Sequence, residues 1–436
     1  MPVIPDISRG DDPKVLIIGG GIGGVATALA CARAGVPVRL LERAPELREI
    51  GAGLQLAPNA VRVLRELGVF DLAARSAVLP RRTLLINADT GEEVASLWFD
   101  ADFRARYGAP YTVMHRGDLL TALLDGCAVT GLVDIVTGKE VTGIEQDTGF
   151  ADNGRVSVAC ADGSEFRAAA VIGADGINST VRKAVIGPDA PLASAYAIYR
   201  GPGPRPEGVE DAVTLYAGDG YHLMQYPVHG GEMLNRVASF RVPGLRPGDP
   251  GWGSLAELDR AFAPACDAVK EGITHLDTSR CWELYDRAPT PGWTVGRVTL
   301  LGDAAHAMRQ YLAQGAGQAL EDALCVSQCL ARALRTRALN TRALSSAPAG
   351  DGTAAVPAAL AEYEAIRYPR TTAVQRWTRY YGELVHMGGV AASLRDHIFR
   401  HLPPGAAPYL DWLYADNPPP APEVPDGLSL YASTFA

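Results

Sequence analysis

Leu301-Gly302-Asp303-Ala304-Ala305-His306, running on to Gln314-Gly315-Ala316-Gly317-Gln318-Ala319-Leu320-Glu321-Asp322-Ala323, is the stretch on which the fold of this chain turns. Two further elements of the same kind precede it. Gly19-Gly20-Gly21-Ile22-Gly23-Gly24 stands near the start, and Ile172-Gly173-Ala174-Asp175-Gly176 lies midway. Three separated glycine/aspartate elements in this order point to one dinucleotide gripped by distant parts of the chain.

The first element has a legible physical role. Residues 14–18 are a short β-branched run, residues 22–34 an Ala- and Leu-rich helix, and residues 38–42 a second apolar run ending in an acid. That is a β-α-β unit. Gly19 permits the tight turn, Gly21 the approach of a pyrophosphate, and Gly24 close packing of helix on strand. The phosphates then meet unpaired N–H groups at a helix N-terminus. Glu42, followed by Arg43, closes the second strand, where a carboxylate accepts hydrogen bonds from a ribose diol and repels a 2′-phosphate. The pocket therefore suits the adenosine of FAD or NAD, not NADP. No second β-α-β unit follows, and the three elements together favour FAD.

The 436 residues are too many for one ordinary domain. With 47% hydrophobic residues a sizeable core is possible. A net charge of −9 and the lack of any Lys/Arg run argue against nucleic acid. No apolar stretch reaches the roughly 18–20 residues of a membrane span. The first residues lack the apolar core of a signal peptide, and the seven cysteines are scattered. A cytoplasmic chain with reduced thiols follows, Cys325 and Cys329 included. No HExxH-type spacing occurs, so no metal is expected.

Helical spacing marks residues 59–67, 116–124, 255–262, 315–334 and 360–386. Hairpin signals mark 83–86 with 93–99, and 156–160 with 165–169. Residues 213–216, 221–226 and 234–241 read as strands of a half-exposed antiparallel sheet. Residues 340–356 read as an exposed loop, and the proline-rich stretch 402–425 as an extended surface tail.

In these motifs the chain resembles the flavin-dependent aromatic hydroxylases, the para-hydroxybenzoate hydroxylase superfamily and its salicylate hydroxylase-like branch. The resemblance rests on the first fingerprint with Glu42, on Gly51-Ala52-Gly53-Leu54-Gln55-Leu56-Ala57-Pro58-Asn59-Ala60, on His115-Arg116-Gly117-Asp118-Leu119-Leu120, on Asp175-Gly176 and on Gly302-Asp303. It implies an α/β fold in which a Rossmann-like FAD-binding domain (1–80, 105–187, 288–370) is interleaved with an antiparallel-sheet substrate domain (81–104, 188–287). A C-terminal helical segment and tail (371–436) follow. It implies that Asp303 holds the ribityl chain, that Gly315 and Ala316 offer N–H groups to the pyrimidine end of the flavin, and that Gly53 and Arg116 reach the FAD. Asp175 is expected near the pyrophosphate and the nicotinamide approach. NADH or NADPH is then a transient co-substrate, O2 the oxidant, and a flavin C4a-hydroperoxide the oxygen donor to a small aromatic acid. No partner beyond a second copy of the chain is expected, as monomer or homodimer.

The protein's part is to exclude water, hold the ring and remove a phenol proton. Alternation along a strand puts His222, Met224 and Tyr226 on one face, toward the cavity. His222 and Tyr226 are the candidate catalytic pair, and Met224, Gln225 and Arg200 the candidate substrate contacts. Gln310 stands where relatives carry a proline, which removes a fixed φ, and Tyr311 follows it. Both are candidate catalytic residues. The first expectation is decarboxylative hydroxylation of a hydroxybenzoate or aminohydroxybenzoate, with a natural-product tailoring hydroxylase as alternative. Further rivals are an oxidase or dehydrogenase that inserts no oxygen, and a flavin-binding sensor. Halogenases of related type carry a WxWxIP element that is lacking here.

Overall fold

A computed structural model describes residues 13–47, 52–146, 154–343, 355–402 and 407–424, with the side chains of 335–343 and 407–408 excepted. At its centre is a parallel five-stranded sheet in the order Val298–Leu300, Ala170–Gly173, Val15–Ile18, Val38–Leu41, Val133–Val136. All four residues of Val15–Ile18 are buried. Both faces of a parallel sheet are covered, so its strands are apolar throughout rather than alternating. Helix Ile22–Arg33 is buried almost all round, which explains its Ala-rich, weakly amphipathic sequence. It packs against helices Arg116–Thr130 and Gly315–Ala343. The chain is thus α/β with a Rossmann-like core.

A seven-stranded sheet stands beside it, in the order Trp282–Asp286, Leu192–Pro204, Met233–Arg241, Tyr221–Val228, Ala212–Gly218, Arg82–Asn87, Glu93–Trp98. Two corrections to the sequence reading arise here. The sheet is mixed, because Ala212–Gly218 runs parallel to Arg82–Asn87. It is also not half-exposed: the middle of Met233–Arg241 is buried at every position. Tyr221, Leu223 and Phe240 pack against Leu258, Phe262 and Val269 of two short helices on one face. The opposite face meets Tyr381 and Val385 of the long helix Val356–Val385.

The helix read to residue 334 continues to Ala343, so the first residues of the expected 340–356 loop are helical. The rest of that expected loop, to 354, lies outside the described residues. The tail is corrected too. Asp411–Tyr414 is a short helix with Trp412, Leu413 and Tyr414 buried. Arg106 holds Asp411 by two bonds of 2.8 and 2.5 Å, and Arg62 and Arg370 bind the carbonyls of residues 412–415. Residues 418–424 are in neither helix nor strand, and 403–406 and 425 of the expected tail lie outside the described residues.

Under the cofactor loops lies a buried ionic knot. Arg367 reaches Asp322 and Glu321 at 2.6 Å each, and Arg370 binds Glu321 at 2.6 Å. Burial pushes both carboxyls up, but Arg367 and Arg370 hold Glu321, and His306 and Arg367 hold Asp322, below the usual range. Removing one member of such a group strands a buried charge, at a cost of about 3–5 kcal/mol. Arg367→Met is therefore expected to lose about that much in urea unfolding. A loss under about 1 kcal/mol would show the knot to be dispensable.

Candidate active site

The cofactor end is built on the first glycine turn. Gly19 has φ +108°, and a Cβ there would meet the Ala174 carbonyl of the neighbouring strand turn. A Cβ on Gly24 would run into the Gly19 carbonyl. Gly21 is the N-cap of helix Ile22–Arg33 without a side-chain cap, so the first N–H groups of the helix are open to an anion. Glu42 folds over the turn, accepting from the N–H of Gly20 at 2.7 Å and of Ala44 at 2.8 Å. Each oxygen keeps a second lone pair for a sugar hydroxyl. Arg43 is exposed and off the cavity wall.

From this turn a continuous cavity of about 1840 Å³ runs to the second sheet. Gly53, Arg116, Asp303, Gly315 and Ala316 all line it. Asp303 is exposed at the start of the short helix Asp303–His306, and Gly315 and Ala316 begin the helix Gly315–Ala343. Gly53 has an added reason to be glycine: a Cβ would sit 2.5 Å from the Tyr226 ring and 2.8 Å from Asn235. Its N–H donates to Asn235 at 2.8 Å, which ties the two halves of the molecule together. Asp175 is placed differently from expectation. It turns inward and accepts from the Ser179 hydroxyl at 2.5 Å and from the N–H groups of Thr180 and Val181, capping helix Thr180–Val185. It does not line the cavity.

At the far end, His222, Met224 and Tyr226 line the wall, as alternation requires. Gln225 is corrected for the same reason: it points to the other face, toward Gly272. Burial lowers the His222 imidazole to about 4, so the ring is neutral at physiological pH. Burial pushes the Tyr226 phenol up, opposed by Arg200 and Arg116. Burial likewise keeps Tyr311 protonated. Arg200 lines the cavity with its guanidinium 4.4 Å from the Trp282 ring centre.

Gln310–Leu312 form a short 3-10 turn closed by Ala313 at φ +53°. Thr378 holds it, donating to the Arg309 carbonyl at 2.9 Å and accepting from the Leu312 N–H at 3.3 Å. The loop is pinned without a proline. Gln310 lines the cavity, and its Nε2 is buried with no hydrogen-bond partner among the described residues. Tyr311 fits because Gly382 opposite has no side chain: a Cβ there would overlap its ring.

The sequence reading missed His386, Tyr381 and Arg309. Tyr381 and Arg309 line the cavity, and His386 stands behind His222. It also missed a cluster away from the wall. His115, Asp118 and His229 offer potential metal-ligand atoms within 4.8 Å of one another, from two stretches far apart in sequence. Local spacing could not reveal it.

These features fit FAD: an open helix end for a pyrophosphate, a carboxylate at the sugar position, and a long cleft ending at a second helix N-terminus. The chain defines a dinucleotide-dependent flavoprotein of the two-domain type. A family description, FAD binding domain, matches residues 12–347. 3-Hydroxybenzoate 6-hydroxylase 1 of Aquipseudomonas alcaligenes is 37% identical over 92% of this chain and 97% of its own length. 3-Amino-4-hydroxybenzoate 2-monooxygenase of Streptomyces cremeus is 34% identical over 92% and 95%. The structure of Klebsiella pneumoniae HpxO complexed with FAD and uric acid aligns with a TM-score of 0.74 at 26% identity, covering 89% of this chain and 93% of that one. The chain belongs to the FAD-dependent aromatic hydroxylases and is a flavin monooxygenase.

Two outcomes follow from this geometry. Gly24→Ala forces helix and strand apart at the phosphate turn, so the purified variant is expected to be nearly colourless; full flavin absorbance would contradict the assignment. The second concerns acid. An unfolded imidazole titrates near 6.5 but the folded His222 near 4, so the unfolded state binds the extra proton between those values. Stability is thus complete above the upper value and lost as pH falls toward the lower one. From pH 7 to 5 the loss is about 2 kcal/mol. Urea titrations of wild type and His222→Leu, compared across that range, should converge by this amount, and a pH-independent difference would refute it.

Proposed function

We propose that this enzyme hydroxylates a small phenolic acid of the 3-hydroxybenzoate type, consuming NADH or NADPH and O2. The observation that carries the reading is the wall of His222, Met224 and Tyr226 beside the Gln310–Tyr311 turn, all lining a cavity continuous with the cofactor cleft. The relatives named above support the substrate class. Bound flavin supplies oxygen activation, with electrons from the nicotinamide; Gly21, Arg116, Asp303, Gly315 and Ala316 would hold it.

The chain's own residues do the rest. Neutral His222 offers a ring lone pair to the phenol proton. The resulting phenolate concentrates electron density ortho and para to its oxygen, and in 3-hydroxybenzoate carbon 6 is para. The cationic Arg200 on the cavity wall suits the carboxylate and orients the ring. The tyrosines, kept protonated by burial, donate hydrogen bonds without adding charge. Closure by the Gln310–Leu312 turn and helix Val356–Val385 keeps water from the reacting edge.

Purified enzyme with NADH or NADPH should show substrate-stimulated oxidation and O2 uptake with 3-hydroxybenzoate, and a product heavier by one oxygen atom. His222→Ala is expected to slow turnover by about 10²-fold or more. The same mass measurement distinguishes simple hydroxylation from the decarboxylative course, which releases CO2. If no hydroxybenzoate or aminohydroxybenzoate stimulates oxidation, the proposal fails.

A further inference from the structure

The polar wall does not end at His222. Its Nδ1 lies 2.7 Å from Nε2 of His386, 164 positions away in sequence. His386 closes the C-terminal end of helix Val356–Val385. The rings' residues are only 3% and 7% exposed. The Gly382 carbonyl, in the last turn of that helix, accepts from the His386 backbone N–H at 3.2 Å. A neutral imidazole has one N–H and one bare nitrogen, so one ring of the pair donates to the other. His222 lines the cavity and His386 does not. When His222 donates from Nδ1, its Nε2 is a lone pair, and the pair can take a proton at one end and pass one on at the other.

We propose that His386 is the second member of a two-imidazole relay through which the phenolic proton of a bound hydroxybenzoate leaves the closed cavity by way of His222. This rests on the function proposed above. The phenol O–H bond breaks as a bond to His222 Nε2 forms. The Nδ1 proton of His222 moves to Nε2 of His386, and the proton on the other His386 nitrogen passes on to solvent. Charge balances and no electrons are transferred. His386 touches no reacting atom and is a positioning residue.

The surroundings suit passage rather than storage. The Tyr196 ring stacks on His386 at 4.4 Å, and Tyr311 stands edge-on to both imidazoles at 5.8 and 5.4 Å. The charged groups facing the pair are Arg309, Arg395, Glu383 and Asp219. Burial first, then the His222 ring, Arg309 and Arg395, disfavour charge on His386. Glu383 lies 3.6 Å from Arg309 and offsets it. The exposed Asp219 carboxylate packs over Gly388, two residues beyond His386. Neither ring carries a second proton at neutral pH. His222 alone would be a poor terminus for a phenol proton, whereas transfer through a pair does not require the proton to stop. The geometry is fixed as well: the Gly220 N–H, one residue before the strand of His222, donates to the His386 carbonyl at 3.1 Å.

The test uses oxidised holoenzyme mixed rapidly with 3-hydroxybenzoate, without nicotinamide. It reads the phenolate absorbance and proton release to an indicator dye. Wild type should form phenolate and release a proton, with a curved rate dependence in H2O/D2O mixtures that signals more than one proton in flight. His386→Leu should ionise the bound phenol at least about 10-fold more slowly, with partial rescue by added imidazole and a linear isotope dependence. Wild-type ionisation rates in His386→Leu would overturn the relay while leaving the role of His222 intact. If wild type leaves the guest neutral or does not bind it, the proposed function fails first. Should His386→Leu not fold, a linear isotope dependence in wild type still overturns the relay.

Discussion

Asp322 is the fixed point of this enzyme. Fully buried on the helix Gly315–Ala343, it receives the Gly302 N–H at 3.1 Å, His306 Nε2 at 2.6 Å and the Arg367 guanidinium at 2.6 Å. Gly302 precedes Asp303, so the loop offered to the cofactor is set by a charge behind it. Arg182 secures the same short helix from the other side, donating to the Ala304 and Ala305 carbonyls at 3.0 Å each. A carboxylate so deep in the core is stable only while each lone pair is used and each charge is answered. The knot extends to Glu321, which accepts from Asn59 at 2.7 Å and so reaches the helix Pro58–Glu66 after the Gly53 strand. Distant cofactor loops thus share one ionic foundation.

The substrate end is built on a different principle. The second sheet docks where the Gly53 strand meets Asn235 and Tyr226, and the pleat of Tyr221–Val228 then decides which side chains see the cavity. A shift of one residue would present Leu223 and Gln225 instead of His222, Met224 and Tyr226. Register is held on both sides, by Ala212–Gly218 and by Met233–Arg241. The C-terminal helices close the far side, so a third part of the chain supplies the lid, with His386 at its end.

Features legible in the sequence were those in which chemistry and spacing coincide within one segment. The glycines at 19, 21 and 24 declare a turn, and period-two alternation puts His222 and Tyr226 together. Gln225 should have been rejected by that same alternation. Asp175 misled because an acid beside a glycine turn serves equally to cap the next helix, and only the direction of the chain after Gly176 decides. Asp322 and Arg367 are 45 residues apart on different helices, and His222 and His386 farther still. No periodicity encodes which buried partner a charge or a ring will find. The tail misled for another reason: its prolines hid Trp412, Leu413 and Tyr414, which bury against Phe103, Tyr107 and Tyr111.

The two ends differ in how they handle charge, and that difference bears on the guest. Beneath the cofactor loops the charges are permanent and paired. At the substrate wall burial keeps His222 uncharged and Tyr226 and Tyr311 protonated, so these three groups contribute dipoles but no charge. A neutral polar wall tolerates a neutral phenol but gains most from a guest that brings its own negative charge, since its hydrogen-bond donors strengthen when the acceptor is anionic. Arg200 lines the same cavity as a fixed positive charge, whereas Arg309 is answered by Asp286 and Glu383. The arrangement favours a guest that enters with a carboxylate and becomes more anionic as its phenol ionises, and the protein can absorb that second charge only if the displaced proton has somewhere to go.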